Sequence, residues 1–165
     1  IVIARGPVPT DVGRGFLLMP MPLLDRHLEI RKSQLPGAGL GLFTRVAIER
    51  GQRITEYKGR LVLWNNIKHE DGINGYILRV DRTWAINAKN YLSAFGRYAN
   101  DAQGLSRQRG LNNNAEYVID GKRCFIEAKR MIRKGEEILV GYGKEYWNLI
   151  RKLKKSGAIQ RSPMR

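Results

Sequence analysis

Short strand-like runs dominate this chain, and they restrict its fold more than any other feature of the sequence. Between residues 28 and 63 the runs "LEIRKS", "GLFTRVA", "QRITEYKG" and "RLVLW" follow one another, separated by Gly, Pro or charged residues. Runs of this length with β-branched or aromatic residues, bounded by turn formers, are typical of β-strands. We therefore expect consecutive short strands in this region.

The remainder of the chain alternates polar and strand-like segments. Residues 65–75 are polar and are expected to form a loop, and strand-like runs return in "YILRV", "TWAINA", "AEYVID", "CFIEAK" and "KGEEILVGYG". The segment "YLSAFGRYAN" can form about two helical turns. In "KEYWNLIRKLKK" the apolar residues recur on one helical face, with Lys and Arg opposite. The predicted class is therefore mostly β with a few short helices.

The length of the chain fits a single domain. Its 165 residues, 42% of them hydrophobic, can bury one sizeable core, and no run approaches the roughly 20 apolar residues of a membrane span. Residues 1–27 are expected to form an irregular Pro- and Gly-rich arm, with "FLLMPMPLL" supplying apolar anchors. Residues 28–147 are expected to form a soluble core, and residues 148–165 a basic helix and tail.

The charge and the cysteine content limit the classes of partner and site. Thirty Lys and Arg residues against fifteen Asp and Glu residues give a formal charge of +15, which favours an anionic partner such as nucleic acid or chromatin. A solvated basic surface without a dedicated partner explains this charge equally well. Cys124 alone can form neither an internal disulfide nor a thiolate zinc cluster, and His27 and His69 lack ligand spacing. We expect an intracellular protein with no bound metal and a buried Cys124.

A glycine-rich stretch, "PGAGLGLF" at residues 36–43, invites comparison with a dinucleotide site. Such a site needs Gly-x-Gly-x-x-Gly between a buried strand and a long helix, whereas Gly37, Gly39 and Gly41 are spaced two apart and a strand-like segment follows. A phosphate cradle is therefore not expected. Two interpretations remain, a turn or a stretch where a ligand lies against bare backbone.

Several segments, in the same order along the chain, resemble the SET-domain protein lysine methyltransferases. They are "GAGLGLF", "ITEYKG", "INAKNYLSAFGRYANDA", "NNNAEYV" and "IEAKRMIRKGEEILVGYGKEYW", the last being the most specific. "PGAGLGLF" and "GRYAN" also resemble the PR-domain branch. The resemblance implies that residues 28–147 form a SET catalytic core, with a β-clip-like fold of several small sheets, a threaded C-terminal segment and a closing C-terminal helix. No cysteine cluster follows the core, so the resemblance is to the subgroup that closes the site with this helix.

The resemblance also implies a function and a cofactor. Members of the family are S-adenosylmethionine-dependent protein lysine N-methyltransferases that form S-adenosylhomocysteine, and the substrate here is expected to be a histone or another basic protein tail. A nuclear location is expected in a eukaryote and a cytoplasmic one otherwise, with no membrane partner. The basic surface is a candidate for DNA or RNA contact. The resemblance says nothing about the oligomeric state.

The cofactor-binding residues follow from the matched motifs. The resemblance places these along S-adenosylmethionine: Gly39, Leu40, Gly41, Arg97, Tyr98, Asn100, Asp101, Tyr142 and Trp147. A structural role for Arg97 and a turn-forming role for Asn100 are the alternatives. Two positions depart from the family pattern, since its Asn-His pair reads Asn100-Asp101 here and its Pro-Asn pair reads Asn113-Asn114.

Lysine methylation requires a neutral amine, although a free lysine has a pKa of about 10.4. A narrow aromatic channel lowers that pKa by desolvation and tolerates a cation over the ring faces. Tyr142 matches the active-site tyrosine of the family and is the predicted catalytic residue. The candidate channel residues, each of which also fits an ordinary packing role, are Tyr57, Tyr76, Tyr98, Tyr146 and Trp147.

Three polar residues carry further expectations. By analogy with the family, Asn114 is expected to help hold the threaded segment, a crossing that most folds avoid. Glu136 is expected to cap or pair locally. Neither Glu136 nor Glu137 fits a carboxylate pair for acid-base catalysis.

Two further functions stay open beside lysine methylation. One is a noncatalytic SET-like or PR-like module that binds chromatin, DNA or RNA through its basic surface. The presence of Asn100 and Tyr142 favours the enzyme, whereas Asp101 and Asn113 favour the module. The other is a nucleic-acid-binding β domain, which lacks support because exposed aromatic and basic residues do not interleave as in a stacking platform.

Overall fold

The structure is a computed structural model that describes residues 22–105 and 107–158. Most of the predicted N-terminal arm, and most of its apolar anchors, lie outside the described residues. In the described part the strands are β1 (Leu28–Lys32), β2 (Leu40–Thr44), β3 (Arg53–Glu56), β4 (Arg60–Leu63), β5 (Ile77–Arg79), β6 (Trp84–Asn87), β7 (Ala115–Asp120) and β8 (Arg123–Ala128), and the α-helices are α1 (Trp64–Ile67) and α2 (Lys144–Lys155). Short 3₁₀ turns cover Asp25–His27, Lys68–Glu70 and Phe95–Tyr98.

The strands form three small antiparallel sheets, which confirms the mostly β class. Their orders are β1-β2, β3-β8-β7 and β4-β6-β5. The β7-β8 pair turns through Gly121 and Lys122, as Asp120 faces Arg123, and Gly121 adopts a φ of 61° that suits glycine in a two-residue hairpin turn. Buried aliphatic side chains from all three sheets, such as Leu42, Ile126 and Leu78, share one core. Cys124 is buried as expected.

A threaded segment, residues 136–142, connects the sheets. We expected "KGEEILVGYG" to be one regular strand, and this is wrong, because successive residues pair with different neighbours. Single bridges join Glu137 to Phe43, Leu139 to Asn100 and Val140 to Ala115. The backbone of Ile138 donates to Leu42 O at 2.7 Å and that of Val140 donates to Asn100 O at 2.8 Å. The segment therefore lies between three parts of the chain that are distant in sequence.

Asn114 holds this segment through its side chain, as expected from the family analogy. It is 2% exposed, its Nδ2 donates to Glu137 O at 2.7 Å, and its Oδ1 accepts from Leu139 N at 2.9 Å. The amide thus satisfies two backbone groups that no sheet ladder serves.

One predicted helix and one predicted loop need correction. The predicted two turns at residues 91–100 reduce to the 3₁₀ turn Phe95–Tyr98, because Ala94 and Ala99 are extended on either side and Gly96 packs against the backbone of Tyr57. The predicted loop at residues 65–75 contains α1 and a 3₁₀ turn.

Helix α2 is confirmed. It buries Tyr146, Trp147 and Ile150, and it spans the predicted boundary between residues 147 and 148. In the part of the chain that the structure describes, no helix is long and apolar enough to cross a membrane.

Candidate active site

Four tyrosines gather in one narrow pocket beside α2, which we call the tyrosine pocket. It is lined by Tyr57, Gly75, Ile77, Leu78, Arg97, Tyr117, Tyr142 and Tyr146. Tyr57 follows β3, Tyr117 lies on β7, Tyr142 ends the threaded segment and Tyr146 lies in the first turn of α2. The rings of Tyr57 and Tyr117 meet edge to face at 5.7 Å, and those of Tyr142 and Tyr146 at 5.3 Å. The pocket is therefore formed by parts of the chain that are distant in sequence.

Hydrogen bonds orient two of these tyrosines. The Tyr57 hydroxyl donates to Tyr76 O at 3.1 Å, and the Tyr142 hydroxyl donates to Ala99 O at 2.8 Å. Each hydroxyl is thus tied to a backbone carbonyl, and its oxygen still has lone pairs that can accept a hydrogen bond.

The pocket keeps its tyrosines neutral. Burial raises the pKa of Tyr57, Tyr117 and Tyr142 well above the usual value, and it raises the pKa of Tyr146 to about 12. None of the lining side chains is acidic. The pocket therefore offers hydroxyl groups but no negative charge to a bound ligand.

Arg97 places a positive charge at the wall of the pocket. It is 9% exposed, and its guanidinium lies 4.0 Å from the ring centroid of Tyr76 and 5.2 Å from that of Tyr98. Its Nε and Nη1 atoms are buried and find no hydrogen-bond partner within the described residues. Two donors are thus available to a group that enters the site.

The glycine stretch meets the threaded segment through Asn100 and Glu137. Asn100 Nδ2 donates to Leu40 O at 2.9 Å and lies 3.3 Å from Glu137 Oε1. Glu137, 2% exposed, also accepts from Ser33 Oγ at 2.6 Å and from Gln34 N at 2.8 Å. A Cβ at Gly41 would overlap the Glu137 carboxylate, which would have to move and give up its hydrogen bonds.

Asp101 joins α2 to the threaded segment. Its Oδ2 accepts from Tyr142 N and from Trp147 Nε1, both at 2.7 Å. The Trp147 ring lies nearly parallel to that of Tyr142, with centroids 5.8 Å apart, and it covers Gly104, where a Cβ would collide with it. The indole is therefore fixed by one hydrogen bond and two packing contacts.

The structure brings some of the predicted site residues together and separates others. Tyr57, Tyr142 and Tyr146 line the tyrosine pocket, whereas Tyr76 contributes its backbone carbonyl and its ring beneath Arg97. The Tyr98 hydroxyl donates to Leu92 O at 2.8 Å. Trp147 does not line the pocket and lies at a neighbouring groove. Leu40, Gly41, Asn100 and Asp101 lie at the junctions described above, and Gly39 O accepts from Ser33 N at 2.9 Å. The cofactor role of each stays a prediction.

Sequence reasoning missed Tyr117 and the role of Glu137. Tyr117 lies on β7, three residues after Asn114, and is buried on the same face of the strand as Ala115. The alternation of side chains along the predicted strand places these two residues on one face and is the signal that could have identified Tyr117. The sequence does not indicate that Glu137 is a buried hydrogen-bond acceptor, because its partners Ser33, Gln34 and Asn100 are distant along the chain. Its neighbour Glu136 pairs locally as expected, accepting from Arg130 Nη1 at 3.0 Å and from Arg133 N at 3.2 Å.

A broader groove runs beside α2, and we call it the basic groove. Its lining includes four cationic side chains, Arg107, Lys129, Lys144 and Arg151, and two acidic ones, Asp101 and Glu116. Tyr117 contributes to the groove and to the tyrosine pocket alike. In the described part of the chain, no three His, Cys, Asp or Glu side chains cluster as metal ligands.

Comparison with known proteins agrees with this architecture. The model of the SET domain family matches residues 39–143, and the chain belongs to this family. Histone-lysine N-methyltransferase set-17 of Caenorhabditis elegans is 31% identical over 135 residues, which cover 81% of this chain and 46% of that protein. Histone-lysine N-methyltransferase EZH2 of Chaetomium thermophilum is 31% identical over 134 residues, which cover 74% of this chain and 8% of that protein. The chain thus spans less than half the length of these two relatives.

A solved structure shares the fold. It is a humanized mutant of the Chaetomium thermophilum Polycomb Repressive Complex 2 bound to the inhibitor GSK126. The match has a TM-score of 0.56 and 26% sequence identity, and it covers 75% of this chain and 16% of that one. The SET fold expected from the sequence motifs is confirmed.

Proposed function

We propose that this chain is a protein lysine N-methyltransferase that uses S-adenosylmethionine and acts on a histone or another basic protein tail. The observation that carries the proposal is the tyrosine pocket, which is narrow, lined by neutral hydroxyls and free of acidic side chains. The Tyr142 hydroxyl donates to the carbonyl of Ala99, the residue before Asn100, and Asn100 in turn binds Leu40 O of the glycine stretch. These links and membership of the SET family support the assignment.

The residues present fit the cofactor. Bound S-adenosylmethionine supplies an electrophilic methyl group on a positively charged sulfur, and it carries a carboxylate. The two unpartnered nitrogens of Arg97 are donors suited to a carboxylate. Gly39 and Leu40 are exposed, and Asn100 binds the Leu40 carbonyl. These residues are the ones we expect to hold it. The product left after transfer is S-adenosylhomocysteine.

The pocket favours the reactive form of the substrate. A lysine side chain attacks through the lone pair of its nitrogen, so the ammonium proton must first leave to solvent. Burial without a carboxylate partner disfavours the ammonium by desolvation. The hydroxyls of Tyr57 and Tyr142 keep lone pairs that can accept from the amine and orient its nitrogen. Tyr142 is the proposed catalytic residue in this sense.

Radiolabelled methyl transfer tests the proposal. The protein is incubated with S-adenosylmethionine labelled in its methyl group and a mixture of histones, and the products are resolved by mass spectrometry. We expect label on lysine side chains, and calorimetry should detect cofactor binding. Absence of both signals in folded protein would contradict the proposal.

A noncatalytic chromatin or nucleic-acid module is the second candidate. It is supported by the formal charge of +15 and by the four cationic side chains of the basic groove. Such a module would bind nucleosomes with a strong salt dependence and transfer no methyl group. On either proposal we expect a nuclear protein in a eukaryote.

A further inference from the structure

Asp101 receives more hydrogen bonds than any other carboxylate described above. Its Oδ2 accepts from Tyr142 N and Trp147 Nε1 at 2.7 Å, and its Oδ1 accepts from Gln103 N and Asn113 Nδ2 at 2.8 Å. The residue is only 7% exposed. A carboxylate has two oxygens that accept two hydrogen bonds each, whereas an amide has one such oxygen and an NH₂ donor. Only a carboxylate can serve all four donors.

The side-chain amide of Asn113 binds both the Asp101 carboxylate and the backbone of Ala102. While its Nδ2 donates to Asp101 Oδ1, its own Oδ1 accepts from Ala102 N at 2.8 Å. Asp101 and Asn113 are the two positions that differ from the family's Asn-His and Pro-Asn patterns. They contact each other directly, so the two departures form one matched unit and need not signal decay of the site.

We propose that Asp101 is a positioning residue that fixes α2 and Tyr142 relative to one another, and that Asn113 is its matched partner. Asp101 holds the backbone of Tyr142, whose side chain lines the tyrosine pocket, and the indole of Trp147, which lies on α2. One carboxylate therefore sets both the pocket wall and the helix that closes it. The catalytic consequence of this contact rests on the proposed methyltransferase function.

Exchanging the two residues tests the pairing. D101N places an NH₂ group against two donors, whichever way the amide turns. N113D places a second carboxylate at hydrogen-bond distance from the first, where like charges repel. In the double variant D101N/N113D, the new amide at position 101 can donate to the new carboxylate at position 113 and still accept from Tyr142 N and Trp147 Nε1. The carboxylate at position 113 also accepts from Ala102 N, so the swap keeps the net charge and restores the contacts to α2 and Tyr142. Of the four original donors to Asp101, Gln103 N alone loses its acceptor.

Two measurements are made on the parent, both single variants and the swap. In a background carrying W64F and W84F, Trp147 is the single tryptophan of the 165 residues, so its emission and its quenching by acrylamide report the indole alone. We expect red-shifted emission and stronger quenching in D101N, and recovery in the swap. In methyl transfer to a histone peptide we expect kcat to fall about tenfold or more in each single variant, and to return to within about threefold of the parent in the swap. The Asn65→Asp change, at an exposed position on α1, controls for added negative charge.

The outcomes separate this proposal from the proposed function. If the parent transfers no methyl group, the function fails, and the Trp147 emission still decides whether Asp101 and Asn113 position α2. Equal emission in the parent and D101N would overturn the positioning role. So would a swap that unfolds, or that behaves like the sum of the two single variants. A kcat that stays unchanged in D101N, with altered Trp147 emission, would limit Asp101 to holding the helix and overturn its effect on Tyr142.

Discussion

The two faces of α2 differ in their surroundings, since one is buried against the core and the other exposes lysine side chains. Its inner face buries Tyr146, Trp147 and Ile150 against the tyrosine pocket and Asp101. Its outer face exposes Lys152, Lys154 and Lys155, for which no ion pair is found within the described residues. The inner face depends on partners that are distant in sequence, whereas the outer face depends on the helical period alone. Substitutions on the inner side should therefore change folding or catalysis, and those on the outer side should change only what the charge attracts.

The largest effect is expected at Asn114, whose side chain holds the threaded segment that leads into α2. Asn114→Ala leaves Glu137 O and Leu139 N buried without their side-chain partner, at roughly 1 to 3 kcal/mol for each unsatisfied group. Denaturant unfolding should show this loss in the free energy of unfolding. Asn66→Ala, at an exposed position on α1, is the control and should change stability little. Equal stability of the two variants would mean that Asn114 does not hold the segment.

A smaller effect on stability, beside an effect on catalysis, is expected at Tyr142, because its hydroxyl donates to Ala99 O. Tyr142→Phe keeps the ring contacts with Tyr146 and Trp147 and removes only the hydroxyl. We expect slower methyl transfer by about tenfold or more, or a change in the number of methyl groups added, with cofactor affinity largely kept. Tyr91→Phe, which removes an exposed hydroxyl, serves as the control. An unchanged rate and product distribution would remove Tyr142 from the catalytic residues.

Asn100 should affect cofactor binding more than turnover. Asn100→Ala removes the amide that joins Leu40 O to Glu137 Oε1 and so loosens the glycine stretch. We expect calorimetric affinity for S-adenosylmethionine to fall by roughly 1 to 3 kcal/mol. The exposed Asn90→Ala is the matched control. The same affinity in both variants would contradict a cofactor role for Asn100.

The sequence predicts the parts of this fold whose signals are local. The strand runs, the "GK" turn of the β7-β8 pair and the apolar stripe of α2 follow from period and turn chemistry, and all three are found. The threaded segment resembles a strand in sequence because it carries the apolar, partly β-branched run Ile138, Leu139 and Val140, while its bridge partners come from β2, Asn100 and β7. The local sequence pattern does not indicate such distant partners.

The candidate site was predicted unevenly for the same reason. Three tyrosines that the resemblance names as site residues, Tyr57, Tyr142 and Tyr146, line one pocket, and their functional roles stay predictions. The resemblance did not indicate that Glu137 would fill the space above Gly41, or that Asp101 and Asn113 would pair across twelve positions. Those contacts join side chains from separate loops, and only the three-dimensional arrangement brings them together.

The smallest effect on the isolated domain is expected from the outer face of α2. A lysine-bearing tail is itself basic, so the charge of Lys152, Lys154 and Lys155 cannot serve to attract it. DNA phosphates on a nucleosome, or RNA, suit these exposed cations, and each phosphate neutralised contributes a slope of about −0.7 to −0.9 in log affinity against log salt. Replacing all three lysines with Glu should lower activity on nucleosomes and flatten that slope, while activity on a peptide stays nearly unchanged. The same reversal at the exposed Lys32, Arg50 and Lys134 controls for net charge. An equal loss on peptide and nucleosome would show that the outer face supports folding or the pocket wall, and the contrast between the two faces of α2 would then fail.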